Sequence, residues 1–414
     1  MNIKMQMLSY SSINILNAAV PFIFLPILTA YLTPSDYGLL SLIQLVMTIS
    51  LPIVLMNTHS IVIIEYSKMN FDDFKSLLSI IVLISFVGFI ILEVLFFIFQ
   101  NQLVIYSHIP LKYVYMIPLF VLFQSIPTLI PIIYQAKKEL FNFAKYRIGL
   151  TIINILFSLL FVIVFSLGWE GRLYGIVGSF SIFSFIGLFI LFKQNLLTFR
   201  LNINILIQVL RFGIPLIPHS IGGVILLMSD RLFLVNILGV DSVGVYSVAF
   251  QIASVITIIL SSINQAWAPN LYAKLNTNPS IEEKRKIVIT TYKIMFLMIL
   301  ITMFFLLSSS YLFDVFIDKQ YYEGKTLTKI IAIAFLFQGF YFMITNYIFY
   351  TKKTYILSYI TFFSVLLISL SNYMLINKYG VIGSAYSIVL VWFIFFISTW
   401  IISNRIYPMP WKLI

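Results

Sequence analysis

The chain has 414 residues, of which 61% are hydrophobic and 10% charged, and its formal net charge is +12. A soluble globular domain is only about 45 to 50% apolar, so this composition excludes a soluble protein and predicts an integral membrane protein. The complete lack of cysteine excludes disulfides, cysteine-ligated zinc and thiol catalysis.

Apolar runs long enough to cross a hydrocarbon core of ~30 Å recur along the whole chain. They predict membrane-spanning α-helices, because such runs satisfy their backbone hydrogen bonds in lipid as helices. The twelve predicted spans are residues 9–32, 38–62, 76–99, 113–136, 146–167, 173–193, 209–235, 242–264, 288–310, 328–350, 355–376 and 380–402. The first run is too long for a signal-peptide core and lacks an Ala-x-Ala site, so we expect a retained helix.

Basic residues are divided unevenly between the predicted loops. If the N-terminus is cytoplasmic, most of the 26 Lys and Arg residues lie at the cytoplasmic ends of the spans. Short loops rich in positive charge stay in the cytoplasm, so both termini are predicted to be cytoplasmic. This bias also accounts for the net charge, and we therefore expect no nucleic-acid partner.

The sequence contains a weak internal repeat at about half the chain length. Its matches, in chain order, join Gly38 and Ser41 to Gly244 and Ser247, Lys137-Lys138 to Lys352-Lys353, and YGIVGS at 174–179 to YGVIGS at 379–384. Six is an even number of spans, so two six-helix repeats would begin on the same side of the membrane. We expect two parallel lobes, residues 1–200 and 201–414, around a central cavity, as is common in transporters.

The stretch LLMSDRLFLV at 226–235 places Asp230 and Arg231 near the outer end of span seven. Charges within lipid are costly, so they are rare and usually face protein or water. Adjacent residues of a helix point ~100° apart, which predicts separate partners for the two side chains. We expect a role in the cavity or in an outer gate; alternatively, Arg231 reaches the outer head groups and Asp230 caps the last turn.

Other polar residues of the spans are further candidates for the cavity. His219 shares a face of span seven with Asp230, and one face of span eight carries Ser247, Gln251, Ser254, Ser261 and Gln265. The corresponding face of span two includes His59, and span one carries Asn14 and Asn17. Such residues also join membrane helices to one another, and a lone histidine is more often structural, so both interpretations stay open.

Glu93 lies in the outer part of span three. Two roles stay open for it, because an intramembrane carboxylate can carry protons or balance a nearby cation. In the first role it couples transport to protons. In the second it is the counterion of Arg231 and helps that residue to hold the outer gate shut.

Several stretches together resemble a known family. They are YLTPSDYGLLSL at 31–42, RFGIPLIPHS at 211–220, LGVDSVGVYSVAF at 238–250 and KYGVIGSAYS at 378–387. In these stretches and their order the chain is similar to Wzx-type polysaccharide flippases of the MOP exporter superfamily. The resemblance implies an all-α membrane fold of two six-helix bundles around a cavity, which multidrug exporters of the MATE type share.

The resemblance also implies a function. It implies that the protein moves an undecaprenyl-diphosphate-linked oligosaccharide, the repeat unit of O-antigen or capsule, across a bacterial inner membrane by alternating access. Its implied partners are this substrate, membrane lipids and a polysaccharide polymerase, and the protein itself is expected to be a monomer. We expect no metal, no cofactor and no nucleotide hydrolysis, with coupling to a proton or sodium gradient as the drive.

Two alternative functions stay open. A cation-coupled multidrug exporter of the same superfamily would favour an acidic cavity, and carboxylates are scarce in the first half of the chain. A membrane-embedded polysaccharide polymerase or glycosyltransferase would need catalytic acids or bases gathered in a long loop. The longest predicted loops, 265–287 and 311–327, hold only sparse acids and the lysine-flanked pair Glu282-Glu283. We therefore expect a transporter and not an enzyme.

Overall fold

A computed structural model describes residues 22, 24–200, 202–351, 353 and 355–412. Over these residues, eleven helices are long and apolar enough to cross a membrane. Most of the predicted first span, 9–32, lies outside the described residues, and its part from 24 to 31 is helical. The remaining eleven predicted spans each correspond to helical structure.

The N-terminal half contains the helices α1 (Pro34–Leu55), α2 (Ile61–Glu65), α3 (Phe71–Ile98), α4 (Gln100–Ser107), α5 (Leu111–Ala136), α6 (Leu140–Leu159) and α7 (Gly168–Lys193). Helix α1 begins where Thr33 and Asp36 form a capping box, in which each side chain accepts from the backbone N–H of the other residue. The first residue of the helix is Pro34. Proline has no backbone N–H, and an N–H at this position would have no acceptor within the helix, so proline is well suited to it. The helix therefore starts several residues before the predicted span.

The C-terminal half contains α8 (Ile203–Gly213), α9 (Ile217–Met228), α10 (Asp230–Leu238), α11 (Val240–Leu275), α12 (Ile281–Phe316), α13 (Gly324–Tyr350), α14 (Tyr355–Tyr379) and α15 (Val381–Ile406). Predicted span seven is thus divided into three helices. A 3₁₀ turn over Ile214–Leu216, which contains Pro215, separates α8 from α9. The second interruption, at Ser229, was not predicted.

Helices α11 and α12 have 36 residues each. At a rise of ~1.5 Å per residue they are about 54 Å long, well beyond the hydrocarbon core. The segment 265–287, predicted to be a loop, is therefore mostly helical, which corrects that prediction. Ser280 and Glu283 form a second capping box at the start of α12, so the polar residues that follow extend the helix.

Helices α1 and α11 cross at the end where both begin, which we call the Pro34 end; the opposite end is the Leu55 end. A Cβ atom on Gly244 would lie 1.8 Å from the carbonyl oxygen of Pro34, and one on Gly38 would lie 2.2 Å from that of Val240. Only residues without a side chain permit backbones to pack so closely. The repeated glycines found in the sequence therefore mark the crossing of the two halves.

Hydrogen bonds also close the Pro34 end. The Tyr321 hydroxyl donates to the carbonyl of Leu32 at 2.8 Å, and the Gln320 amide donates to the Thr29 carbonyl at 2.9 Å. On another side of the bundle, the Asn236 amide donates to the Tyr106 carbonyl at 2.7 Å. Each of these contacts joins the two halves of the chain. The division into lobes at residue 200 stays a prediction.

Candidate functional site

A cavity of about 290 Å³ lies between the two halves near the Pro34 end. Helices α1 and α11 form facing walls, and the start of α7 and the segment around Arg231 complete it. The polar residues that line it are Tyr37, Ser41 and Gln44 from α1, Ser247, Gln251 and Ser254 from α11, Arg172 from α7, and Arg231 from α10. The cavity thus receives one arginine from each half.

The first three residues of the polar stripe predicted on α11, Ser247, Gln251 and Ser254, line this cavity. Ser247 is buried, Gln251, Ser254 and Ser261 are half-buried, and Gln265 is exposed. Exposure therefore rises from the Pro34 end toward the Leu55 end. On α1, Ser41 is buried whereas Gln44, one turn later, is exposed. The cavity is accessible from the side of the Leu55 end and closed at the Pro34 end.

A hydrogen bond crosses the cavity and joins the two halves. The Tyr37 hydroxyl on α1 donates to the side-chain oxygen of Gln251 on α11 at 2.5 Å. The ring of Tyr37 also meets the Tyr321 ring edge-on, with centroids 6.2 Å apart. Tyr37 therefore connects the cavity wall to the contacts that close the Pro34 end.

Asp230 and Arg231 contact each other, which corrects the prediction of separate partners. The Arg231 Nη1 atom is 2.9 Å from Asp230 Oδ1, and the same oxygen accepts from the Arg231 backbone N–H at 2.8 Å. The Tyr246 hydroxyl donates to the other carboxylate oxygen. Both charged side chains are about 5% exposed or less, so Arg231 does not reach the lipid head groups.

The helix interruption at Ser229 makes this contact possible. In a continuous helix the Arg231 N–H would donate to the carbonyl of Leu227, four residues earlier. Here Asp230 accepts that N–H, and the Arg231 guanidinium lies 3.5 Å from the Leu227 oxygen instead. The guanidinium also lies over the Phe250 ring, 4.8 Å from its centroid. The argument from an ideal helix failed because the helix ends between α9 and α10.

Glu93 does not pair with Arg231, so that prediction is wrong. The Glu93 side chain is half-buried on α3, and within the described part of the chain it makes no salt bridge. Arg231 already pairs with the carboxylate of Asp230. Because Asp230 is the preceding residue, this pair forms without a contribution from another helix. The proton-coupling role of Glu93 stays a prediction.

Arg172 is a cavity residue that was not predicted from the sequence. It lies in the first turns of α7, where its guanidinium donates to the Asn154 side chain at 2.7 Å and to the Ser158 hydroxyl. It also lies over the Phe24 ring at 5.3 Å. Among the residues with described positions, no carboxylate lies within salt-bridge distance of it. The available signal was the pair Asn154 and Ser158, one turn apart on α6.

Two other predicted cavity residues, His59 and His219, do not line this cavity. His59 is half-buried in the 3₁₀ turn after α1, at the Leu55 end, and His219 is exposed on α9. Asn14 and Asn17 lie outside the described residues. No group of three or more His, Asp or Glu residues that could hold a metal ion occurs within the described ranges.

The charges of the cavity indicate what it can bind. Arg231 is balanced by Asp230, whereas Arg172 is held by neutral groups, so the cavity carries about one unbalanced positive charge. Guanidinium groups bind phosphate oxygens well because their N–H groups match the oxygen positions. The hydroxyl and amide groups of α1 and α11 can hydrogen-bond to neutral polar groups. The site is suited to an anion that carries a polar, uncharged portion.

The chain is similar in sequence to known families and proteins. The model of the family described as "Polysaccharide biosynthesis protein" matches residues 4–273, and the MatE family model matches residues 215–374. The capsular polysaccharide biosynthesis protein CapF of Staphylococcus aureus is 25% identical over 95% of this chain and 97% of its own. The Lsg locus putative protein 1 of Haemophilus influenzae is 23% identical over 90% and 93%.

Solved structures share the fold. The inward-facing conformation of a multidrug resistance MATE family transporter of the MOP superfamily has a TM-score of 0.74 and 14% identity, with 94% of both chains covered. Its outward-facing conformation has a TM-score of 0.65 and 14% identity, with 97% of this chain and 95% of that chain covered. These matches confirm the predicted all-α, MATE-like membrane fold.

Proposed function

The chain belongs to the family of polysaccharide biosynthesis proteins, and from this premise we propose that it flips a lipid-linked oligosaccharide across a bacterial inner membrane. The family match, the relatives and the fold also confirm the resemblance to Wzx-type flippases of the MOP superfamily. They indicate a multi-pass membrane flippase or transporter. The substrate that we propose is an undecaprenyl-diphosphate-linked repeat unit, with capsule or O-antigen as its destination.

The observation that carries this proposal is the cavity between the two halves. A diphosphate has several negative charges, and the cavity offers two arginines against one carboxylate. The oligosaccharide is rich in hydroxyl groups, and the walls offer Gln44, Gln251 and Ser254. One substrate that combines both chemistries therefore matches the two kinds of lining residue.

The closed Pro34 end supports alternating access. If both termini are cytoplasmic, as the basic residues indicate, the Leu55 end faces the cytoplasm and the cavity is open inward. Opening the Pro34 end would then require separating α1 from α11 and breaking the bonds of Tyr321 and Gln320. We propose that a proton or sodium gradient drives this change. The protein would work as a monomer alongside a polysaccharide polymerase.

Deletion of the protein tests the proposal. In the deletion strain, the lipid-linked oligosaccharide should be fully assembled but remain in the cytoplasmic leaflet, where added membrane-impermeant glycosidases do not reach it. A wild-type copy should restore its exposure outside. If the deletion strain never assembles the repeat unit, the protein acts in synthesis and the proposal fails.

A multidrug exporter is a second candidate, because the MatE family model matches residues 215–374. The lining of the cavity disfavours it, since the unbalanced positive charge of Arg172 would repel the cationic compounds that such exporters commonly carry. Loss of the protein should leave the growth-inhibiting concentrations of cationic drugs unchanged. A clear increase in sensitivity that a wild-type copy reverses would favour the exporter.

A further inference from the structure

A second cavity of about 700 Å³ opens on the lateral surface at the Leu55 end, between the end of α5, the start of α6 and the end of α7. It shares no lining residue with the cavity between the halves. Its rim is polar, with Asn142 and Lys145 from α6 and Lys193 and Gln194 from the end of α7. Its wall is apolar and is formed by α7. The cavity thus combines a basic edge with a hydrocarbon surface.

The basic edge carries three lysines and one nearby carboxylate, that of Glu139, which accepts a hydrogen bond from the Asn142 amide at 2.7 Å. Lys145 and Lys193 line the cavity, and the Lys137 ammonium donates to the Gln194 side chain at 2.9 Å. Over the described stretches, none of these lysines makes a salt bridge. Burial lowers the pKa of Lys137, and the nearby charge of Glu139 opposes this effect. An anion placed on this edge would meet three ammonium groups and only one carboxylate, so the edge keeps a net positive charge.

The apolar wall is a strip along one side of α7. Ile186, Phe189 and Lys193 follow one another at spacings of three and four, so they lie on the same helix face. The Ile186 side chain is 40% exposed and that of Phe189 is 63% exposed, and both are available to an acyl chain. The strip leads from the lipid-facing surface to the Lys193 ammonium. A ligand with an acyl chain and an anionic head can follow it.

The back of this cavity is rigid. The Tyr146 hydroxyl donates to the Phe183 carbonyl at 2.6 Å, and the two rings meet edge-on with centroids 5.0 Å apart. Gly149 faces the same ring, and a Cβ atom there would lie 3.0 Å from it. The missing side chain leaves room for the Phe183 ring. These contacts fix the cavity independently of any ligand.

We propose that this second cavity binds one anionic phospholipid of the leaflet at the Leu55 end. Its phosphate lies between Lys145 and Lys193, and one acyl chain follows Ile186 and Phe189. Basic pockets between membrane helices are suited to such head groups, and the apolar strip gives a phospholipid an advantage over a soluble anion. The bound lipid joins the ends of α5, α6 and α7 and stabilises that part of the N-terminal half by mass action.

Native mass spectrometry of the full-length protein tests this proposal, with phosphatidylglycerol and phosphatidylcholine as probes. The protein should retain one phosphatidylglycerol in preference to phosphatidylcholine. The double variant Lys145→Gln/Lys193→Gln should bind it roughly 30-fold more weakly, which corresponds to ~1 kcal/mol for each lysine. The matched control is Arg285→Gln/Lys286→Gln, which removes two charges at the same end on α12 and should change nothing.

A third variant separates a lipid site from a diffuse attraction to charge. Ile186→Trp fills the apolar strip and keeps every lysine, so it should also weaken phosphatidylglycerol binding. Ile186 is partly exposed, so the fold should tolerate the change, and an unchanged melting temperature checks this. Equal retention of both lipids, an equal loss in the α12 control, or full binding in Ile186→Trp would each overturn the proposal. Preferential binding of undecaprenyl phosphate at the three tested residues would also overturn it.

Discussion

Helices α1 and α11 occupy corresponding places in the two halves, and they share the residues that pack them together. Gly38 and Gly244 permit their crossing, and Ser41 and Ser247 line the cavity next to it. The segments before these helices differ. At the spacing that joins Gly38 to Gly244, Phe24 and Leu25 correspond to Asp230 and Arg231 of α10. The repeat therefore preserves the contact between the halves, whereas the charges are particular to each half.

The two cavity arginines also differ in how they are held. Arg231 is fixed by Asp230, which Tyr246 holds in turn. Arg172 is fixed by the neutral groups of Asn154 and Ser158. A guanidinium with neutral partners keeps more of its attraction for an added anion than one paired with a carboxylate. We therefore predict that anion binding depends mainly on Arg172 and that Arg231 has a mainly structural role.

Removing Asp230 should have the largest effect on stability, because it breaks the buried ion pair between Asp230 and Arg231. Loss of one partner of a buried ion pair costs on the order of 3 to 5 kcal/mol. Asp230→Ala should therefore lower the melting temperature of the purified protein by several degrees and reduce its level in the membrane. The control is Asp241→Ala, an exposed carboxylate at the start of α11. Equal melting temperatures for the two variants would contradict a structural role for the ion pair between Asp230 and Arg231.

Removing Arg172 should have a smaller effect on stability and a large effect on transport. A hydrogen bond to a charged group contributes about 1.5 to 3 kcal/mol, so Arg172→Ala should reduce the transport rate by roughly 10- to 100-fold. Arg172→Lys keeps the charge and should retain part of the rate. Surface polysaccharide at matched protein levels is the measurement, with the exposed Lys112→Ala as control. Normal transport in Arg172→Ala would reverse the assignment of the two arginines.

Removing the Tyr37 hydroxyl should have the smallest effect of the three. Tyr37→Phe deletes its hydrogen bond to Gln251 and keeps the ring that packs on Tyr321. A neutral hydrogen bond contributes about 0.5 to 1.5 kcal/mol, so transport should change by a factor of roughly two to ten. The control is Tyr31→Phe, which removes the hydroxyl of an exposed side chain near the Pro34 end. A complete loss of transport would mean that Tyr37 acts on the substrate itself.

The helices could be predicted from the sequence because the apolar runs are long and nearly free of charge. Their ends were less certain, since they depend on caps outside those runs, such as Thr33 with Asp36 and Ser280 with Glu283. The stripe on α11 could be predicted because its period follows from a single helix. These successes all rest on information contained within one element.

The site residues that were missed depend on contacts between elements. Arg172 follows Gly171 in a polar stretch that resembles a loop, and the groups that hold it belong to α6. The pair Asp230 and Arg231 was misjudged because no glycine or proline marks the interruption at Ser229. A continuous helix was therefore assumed, and the backbone N–H of Arg231 was taken to be occupied.

Alternating movement of the two halves is the central claim, and it can be measured directly in this cysteine-free chain. Spin labels on Ser35→Cys and Asp241→Cys report on the Pro34 end, and labels on Lys138→Cys and Lys353→Cys report on the Leu55 end. Without substrate, the distance at the Pro34 end should be short. Added undecaprenyl-diphosphate-linked oligosaccharide should create a longer population at the Pro34 end and a shorter one at the Leu55 end. Two unchanged distances, or two distances that lengthen together, would contradict alternating access.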